Sequence, residues 1–144
     1  MSALVTDDGG SVAIETAFVA PVLLLMGLGA FESSMMVARQ VELQNAAAEA
    51  SQIALAAAPT DAIARATVKQ VIETSTKLPP ENVDVLERYR CDTQPAYVTE
   101  SSLCSAHYAR FIQIRIRDRY VPSWAQITTL GTVNYNVVRM VQVG

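Results

Sequence analysis

The sequence predicts an α+β protein in which one long N-terminal helix precedes a short helix and a small antiparallel sheet of about three strands. Three observations predict this fold. An uncharged apolar stretch near the N-terminus continues into an alanine-rich stretch with helical spacing. A second helical segment ends at a pair of prolines. Beyond these prolines the hydrophobic period changes from 3.6 to 2, which is typical of strands.

The composition restricts the class of protein. The chain has 144 residues, the length of one ordinary domain. It is 51% hydrophobic and only 17% charged, whereas a typical soluble domain is about 25% charged. The net charge of −3 argues against a general nucleic-acid binder. The composition excludes collagen-like, coiled-coil and wholly disordered chains. It indicates one segment apolar enough to span a membrane and one small folded domain.

The first helix is predicted around the stretch from Ala13 to Phe31, in which Glu15 is the only charged residue. As an α-helix this stretch would rise roughly 28 Å, close to the hydrocarbon core of a bilayer at about 30 Å. A secretory signal peptide is the main alternative, but no Lys or Arg precedes the apolar stretch. A retained transmembrane helix over 11–37 is therefore the better interpretation.

Helical spacing continues over 38–58. One face repeats at alternating steps of four and three residues: Met36, Gln40, Leu43, Ala47, Ala50, Ala54 and Ala57. Most of these side chains are small, which would let neighbouring helices approach closely. Pro59 ends this helix, and Asp61 can cap a second helix that extends to Thr76. The apolar side of the second helix is expected to carry Ile63, Thr67, Val68, Val71 and Ile72.

Three later segments, 83–90, 111–120 and 133–143, alternate between apolar and polar residues as strands do. In the middle segment three isoleucines face one way: Ile112, Ile114 and Ile116. Arginines face the other way, and they are Arg115, Arg117 and Arg119, with Arg110 nearby. Packed against the second helix, these strands suffice for a small α+β domain over 59–144.

Glu15 requires an explanation, because a charged side chain inside an apolar span costs about 2.5–3.5 kcal/mol. If the chain were cut after Gly10, the new α-amino group of Ser11 would lie about one helical turn from the Glu15 carboxylate, on this molecule or on a neighbour. Such a pair of opposite charges would select the processed form and fix the axial register of packed helices.

This arrangement resembles the processing site of type IV prepilins. The longer pattern resembles the TadE-like pseudopilins of tight-adherence (Flp, type IVc) pilus systems. Three runs carry the resemblance: A-x-x-x-P-x-L-L-L from Ala17 to Leu25, Gly-x-x-Glu from Gly29 to Glu32, and L-Q-N-A-A-x-E-A from Leu43 to Ala50. Together with the glycine before the cut, the resemblance covers about a third of the chain.

The resemblance implies a pilus component. A membrane prepilin peptidase would remove residues 1–10, and the helix over 11–37 would stay in the bacterial inner membrane with its N-terminus cytoplasmic. The helical continuation over 38–58 and the domain over 59–144 would be periplasmic, and extracellular once the chain joins a pilus. The other implied partners are pilins or pseudopilins of the same pilus, the inner-membrane assembly platform and membrane lipid.

The same resemblance implies a minor pilin, an initiation component or a tip component of a pilus used for surface adhesion. Such proteins are not enzymes, so no cofactor, small-molecule substrate or nucleic acid is expected. Two other classes stay open: a signal-anchored periplasmic binding or sensor domain with the helix only as a tether, and a periplasmic enzyme using His107 and the arginines. The sequence contains no Walker A, glycine-rich phosphate-loop or H-E-x-x-H pattern, so no enzyme is predicted.

Three further features concern Pro21, the two cysteines and His107. Pro21 removes a backbone hydrogen bond and could kink the helix, although proline is also tolerated in ordinary transmembrane helices. Cys91 and Cys104 would close a loop of about 14 residues in an oxidising compartment, worth about 3 kcal/mol. His107 lies close to Cys104, but a fourth metal ligand is not evident and no metal site is predicted.

The arginine face allows two interpretations. It is either a solvated face partly neutralised by Asp118 and other acidic residues, or a partner surface for another pilus protein or for anionic lipid headgroups. Nucleic acid is disfavoured because no aromatic platform interleaves with the arginines.

Overall fold

The computed structural model describes residues 9–92, 95–105, 107–126 and 131–143, without the side chains of residues 9–12 and 126. Within these ranges the helices are α1 (Gly9–Ala57) and α2 (Ala62–Thr76). The strands are β1 (Val83–Cys91), β2 (Tyr97–Val98), β3 (Tyr108–Tyr120) and β4 (Val133–Gln142). The chain divides into two compact units, Met1–Val37 and Ala38–Gly144. Most of the predicted leader, residues 1–8, lies outside the described residues.

The second unit is built on an antiparallel sheet with the strand order β2-β1-β3-β4. The central pairing runs without a break from Val83↔Ile116 to Cys91↔Tyr108. The outer pairing of β3 with β4 is equally regular over its ten residue pairs. The predicted α+β fold is confirmed. The expectation of about three strands omitted β2, because two residues are too few to produce a recognisable alternation.

The hydrophobic core lies between the two helices and one face of this sheet. The strands contribute Val83, Val85, Ile112, Ile114, Ile116 and Tyr135, and the helices contribute Leu43, Ala46, Ala47, Ala50, Ala54, Val68 and Ile72. The predicted period of two in β3 is confirmed, since its three isoleucines are fully buried. From Leu43 to Ala54, the alanine face of α1 is buried in the same core as the sheet of this chain. Gln40 and Ala57, which the sequence placed on the same face, are exposed.

Helix α2 begins where Asp61 caps it, since the carboxylate accepts a hydrogen bond of 2.7 Å from the backbone N–H of Ala64. Its buried residues are Val68, Ile72 and Thr76, which follow one another at four-residue steps. The expectation that Ile63 shares this face is wrong, because its side chain is 81% exposed. Five residues separate it from Val68, and at 3.6 residues per turn they place it about 140° away around the helix. Val71 and Thr67, also expected on this face, are exposed as well.

Candidate functional site

The part of α1 in the first unit exposes large apolar side chains on every side. Five consecutive residues, Val22 to Met26, are all more than half exposed, and five residues sweep more than a full helical turn. The same exposure extends from Ile14 to Val37. Such a surface is stable only where lipid chains or other helices cover it. By length and composition alone, the helix from Ala13 to Ala57 can cross a membrane.

Glu15 lies near the start of this segment with its side chain exposed. The backbone is helical from Gly9 onward, so Ser11 and Glu15 are separated by one helical turn, or about 6 Å along the axis. The side chain of Ser11 lies outside the described residues. The pairing of its α-amino group with Glu15 therefore stays a prediction, as does processing after Gly10.

Two other residues of the segment depart from its apolar, exposed character. Pro21 lies inside α1, which continues on both sides of it. Glu32 is only 7% exposed, although the residues on either side of it are exposed. Between them, a Cβ atom at Gly27 or Gly29 would meet nothing within 4 Å, so the described contacts explain neither glycine.

In the second unit, the sheet carries arginines on the face turned away from both helices, which we call the outer face. Arg115, Arg117 and Arg119 alternate with the buried isoleucines of β3 and therefore lie on this face. Arg110 has the parity of the isoleucines, so the structure places it on the helix side of the sheet, apart from the other three.

Sequence reasoning missed two members of the outer face. Arg88 lies opposite Phe111, and Arg90 lies opposite Ala109, in the register of β1 with β3. The signal that could have found them is the period of two within β1, where Leu86, Arg88 and Arg90 alternate with inward-facing residues. The alternation is weak because the polar residues Glu87 and Tyr89 interrupt the inward-facing positions.

On the helix side of the sheet, three arginines form ion pairs, whereas Arg139 of β4 is exposed there without an ion pair to a described residue. Arg65 and Arg110 lie 3.1 Å and 3.7 Å from the carboxylate of Glu87. Arg39 lies 2.6 Å from the carboxylate of Asp118. Because Asp118 shares the helix side with Arg39, it does not neutralise the arginines of the outer face, contrary to the expectation from the sequence.

Burial and these charged groups shift the pKa values of one arginine and two tyrosines. Burial lowers the pKa of Arg39, but its hydrogen bonds and charge interactions with Glu42 and Asp118 outweigh burial and raise the pKa overall. Burial raises the pKa of Tyr135, and the negative charge of Asp118 raises it further. Burial and the neighbouring Glu87 likewise raise the pKa of Tyr89. At neutral pH the guanidinium therefore stays charged and both phenols stay protonated.

Cys91 and Cys104 form the predicted disulfide, with their Cα atoms 5.3 Å apart. Neither cysteine is then a free thiolate that could bind a metal ion. Among the described residues, no group of three or more His, Cys, Asp or Glu side chains could hold a metal ion.

His107 lies at one end of the arginine face. It is exposed just before β3 begins, two residues before Ala109, which lies opposite Arg90. At the rise of an extended strand, Arg115 and Arg119 are about 26 Å and 40 Å from His107 along β3. The structure therefore brings His107 near Arg90 of β1, and not near the three arginines that the sequence placed on this face.

An open groove of about 620 Å³ lies beside the edge strand β4. It is lined by Gln40, Gln44 and residues 133–139, in which Arg139 is the charged member.

The apolar helix and the α+β unit define a class of protein: one whose N-terminal helix is compatible with a single-pass membrane anchor and continues into the core of a small α+β unit. Comparison with known families finds one that part of this chain resembles. The family model described as TadE-like protein matches residues 10–52. This segment contains Glu15, Pro21 and the alanine-rich run, and the match confirms the resemblance identified from them. Neither the curated proteins nor the solved structures contain a match.

Proposed function

We propose that the protein is a minor pilin or pseudopilin that takes part in the assembly, initiation or tip of a Tad (Flp, type IVc) pilus used for adhesion. The observation that carries this proposal is the agreement between two features of α1. Its apolar side chains are exposed on every side, and the TadE-like match covers the same helix. The similarity suggests a structural pilus component, so the proposed role is assembly and not catalysis.

Processing is the first proposed step. A prepilin peptidase cuts after Gly10, and the new α-amino group of Ser11 pairs with the carboxylate of Glu15, on the same chain or on a neighbouring pilin. In a medium of low dielectric constant, this pair is more favourable than an unpaired carboxylate. Processed chains are thereby selected for assembly, and their helices are held in axial register.

The proposed topology places 11–37 in the inner membrane with the N-terminus in the cytoplasm. Residues 38–144 are then periplasmic until the chain enters a pilus. The Cys91–Cys104 disulfide supports this topology, because disulfides persist in oxidising compartments such as the bacterial periplasm.

Helix packing in the pilus is proposed to use the apolar segment of α1 over 11–37. The face from Leu43 to Ala54 is buried in the core of the second unit, so it is not available to neighbouring helices. In this scheme Pro21 adjusts the packing of the apolar segment. Other pilins, the assembly platform and membrane lipid are the proposed partners of this segment.

The proposal is tested by intact mass and N-terminal sequencing of the protein recovered from membranes of a host with its prepilin peptidase. We expect a chain that begins at Ser11. Because Asp7 and Asp8 stand where such leaders are usually basic, cleavage itself is the first quantity to measure. A Gly10→Val variant should stay uncut, whereas the matched Gly9→Ala variant should be cut.

A chain that begins at Met1 or Ser2 in that host would contradict the proposal. So would normal piliation after residues 11–37 are exchanged for an unrelated membrane anchor. Either result would favour the periplasmic binding or sensor domain, in which the helix is only a tether.

A further inference from the structure

The outer face of the sheet is a concentrated cationic surface that the proposed packing of helices does not use. Its charged members are Arg88 and Arg90 of β1, Arg115, Arg117 and Arg119 of β3, and Asp84 of β1. The whole chain has 11 Lys and Arg residues and a net charge of −3. Five of these cations thus lie on one side of one small sheet, in a protein that is acidic overall.

The sheet itself compensates only one of these charges by an ion pair. Asp84 lies opposite Arg115, but its carboxylate binds Arg117 at 2.9 Å. In the described part of the chain, the guanidinium groups of Arg115 and Arg119 have no ion-pair partner. The Nε of Arg115 is moreover buried without a hydrogen-bond partner among those residues.

The two arginines of β1 have neutral partners. Arg88 donates from Nε to the side-chain oxygen of Gln113 at 2.9 Å. The guanidinium of Arg90 lies 5.3 Å from the centre of the Phe111 ring. On the helix side, Arg110 of β3 instead shares the carboxylate of Glu87 with Arg65 of α2. The outer face therefore retains a positive charge that an external anionic group can neutralise.

The register of the strands arranges these arginines in an extended track. Arg115, Arg117 and Arg119 follow one another on one side of β3, about 7 Å apart. Arg90 lies opposite Ala109, which is about 34 Å from Arg119 along the strand. The track is long enough to contact several carboxylates of one partner at once.

The composition of the outer face favours a protein partner over a phosphate polymer. All five cations are arginines, and protein interfaces are rich in Arg, Tyr and Met but poor in Lys. The exposed apolar side chain of Leu86 lies next to Arg88 on β1, that of Val138 lies opposite Arg115, and Tyr97 is exposed opposite Arg90. Of the two aromatic rings beside these arginines among the described residues, Phe111 is only 7% exposed and Tyr97 packs edge-on against it, whereas single-stranded nucleic acids stack successive bases on open aromatic rings.

We infer that the outer face binds an acidic, partly apolar surface of another protein. The same face of a second copy is excluded as the partner, because five arginines would then oppose five arginines. The contact therefore joins two different surfaces. That the partner is a neighbouring pilus subunit rests on the proposed function, whereas the binding itself does not.

The test uses the full chain in a nonionic detergent and a labelled random copolymer of glutamate and tyrosine as the probe, with binding followed by fluorescence anisotropy. The Arg115→Gln, Arg119→Gln double variant should bind about tenfold more weakly, because two charge contacts of roughly 0.7 kcal/mol each are lost. The matched control is Lys77→Gln with Arg139→Gln. It removes the same charge at two exposed positions off the outer face, and it should bind within about twofold of the native chain. Native binding should weaken as salt is added.

If both double variants lost the same affinity for the copolymer, the inference would be overturned, because binding would then depend only on the net charge of the chain. Binding of polyphosphate or of phosphatidylglycerol vesicles, without binding of the copolymer, would also overturn it in favour of a phosphate ligand. Circular dichroism of both variants verifies that the fold is retained. The measurement is made on the uncut chain, so a failure of processing after Gly10 leaves its outcome unaffected.

Discussion

The Nε of Arg39 in α1 lies 2.6 Å from Oδ2 of Asp118 in β3, although 79 residues of sequence separate them. The same guanidinium lies 2.8 Å from a carboxylate oxygen of Glu42 and donates to the carbonyl of Thr76 at the end of α2. One side chain thus connects both helices to the sheet. The Arg39 and Asp118 side chains are 23% and 16% exposed, so solvent screens this pair less than a surface salt bridge.

Replacing Arg39 by Gln should lower the free energy of unfolding by about 2 kcal/mol, because the half-buried carboxylate of Asp118 loses its partner. Urea unfolding of the full chain in nonionic detergent, followed by the fluorescence of Trp124, measures this change. Lys77→Gln is the control, because Lys77 is exposed and has no ion pair with a described residue, and it should cost less than about 0.5 kcal/mol. If the effects of Arg39→Gln and Asp118→Asn were simply additive, the two residues would not be coupled.

The alanines of α1 should tolerate enlargement only where they face solvent. Ala47 is fully buried against the sheet, so Ala47→Leu should destabilise the protein by about 1–3 kcal/mol through overpacking. Ala56 is exposed on the same helix, and Ala56→Leu should change stability by less than about 0.5 kcal/mol. The same urea titration compares the two variants. Equal effects would show that α1 does not pack closely at Ala47.

The disulfide should contribute about 3 kcal/mol to the stability of the second unit, since it closes a loop of about 14 residues in the unfolded chain. Urea unfolding with and without dithiothreitol measures this contribution. The Cys91→Ala, Cys104→Ala variant should match the reduced native protein and should not respond to the reductant. A reductant effect that persisted in this variant would have to come from another cause.

Stability should fall above about pH 10, the ordinary pKa of tyrosine. Burial and the negative charge of Asp118 raise the pKa of Tyr135 in the folded state, so the folded protein holds this proton more tightly than the unfolded chain. Its contribution is fully present below pH 10 and is lost as the pH rises through the folded-state pKa, by up to about 1.4 kcal/mol per pH unit. Urea denaturation repeated between about pH 8 and pH 11 measures the slope of the free energy of unfolding against pH.

The slope should be shallower in Tyr135→Phe, since this variant lacks the buried phenol. Tyr97→Phe, which removes an exposed phenol, is the matched control and should retain the native slope. An unchanged slope in Tyr135→Phe would assign the alkaline instability to other groups, of which Tyr89 is the first to test because burial and Glu87 raise its pKa.

Replacing Glu15 by Leu should reduce incorporation into pili without preventing insertion into the membrane. The substitution removes an intramembrane charge that costs about 2.5–3.5 kcal/mol, but it also removes the proposed partner of the Ser11 α-amino group. Immunoblots of sheared pili, normalised to the mature protein in membranes, measure incorporation. Glu49→Gln alters an exposed carboxylate in the second unit and should be incorporated normally. If Glu15→Leu were processed and incorporated like the native chain, the pairing mechanism would be wrong.

The sequence predicted those helices and strands that are marked by a pattern among neighbouring residues. The alternation of Ile112, Ile114 and Ile116 with arginines identified β3 and its two faces, and Asp61 identified the start of α2. Arg110 is close to the other arginines in the sequence, but it has the even-numbered position of the isoleucines, and this position places it on the helix side.

The contacts that the sequence did not predict depend on residues that only the fold brings together. Arg39 and Asp118 are far apart in the chain, and nothing local marks them as partners. The alanine face of α1 was ambiguous for a different reason: small side chains suit close packing against a helix and against a sheet equally well. The spacing therefore located the face but not the element that covers it.

Along β3, isoleucines that face the core alternate with arginines that face outward. This alternation restricts which changes in the gene the fold tolerates. Substitutions at Arg115, Arg117 or Arg119 alter one surface and leave the isoleucines of the core in place. Loss or gain of a single codon within the strand would instead exchange the two sides beyond that point, turning guanidinium groups inward and isoleucines outward. We therefore expect this stretch to diverge by replacement while its length stays constant, so that the recognition surface can evolve without disturbing the core.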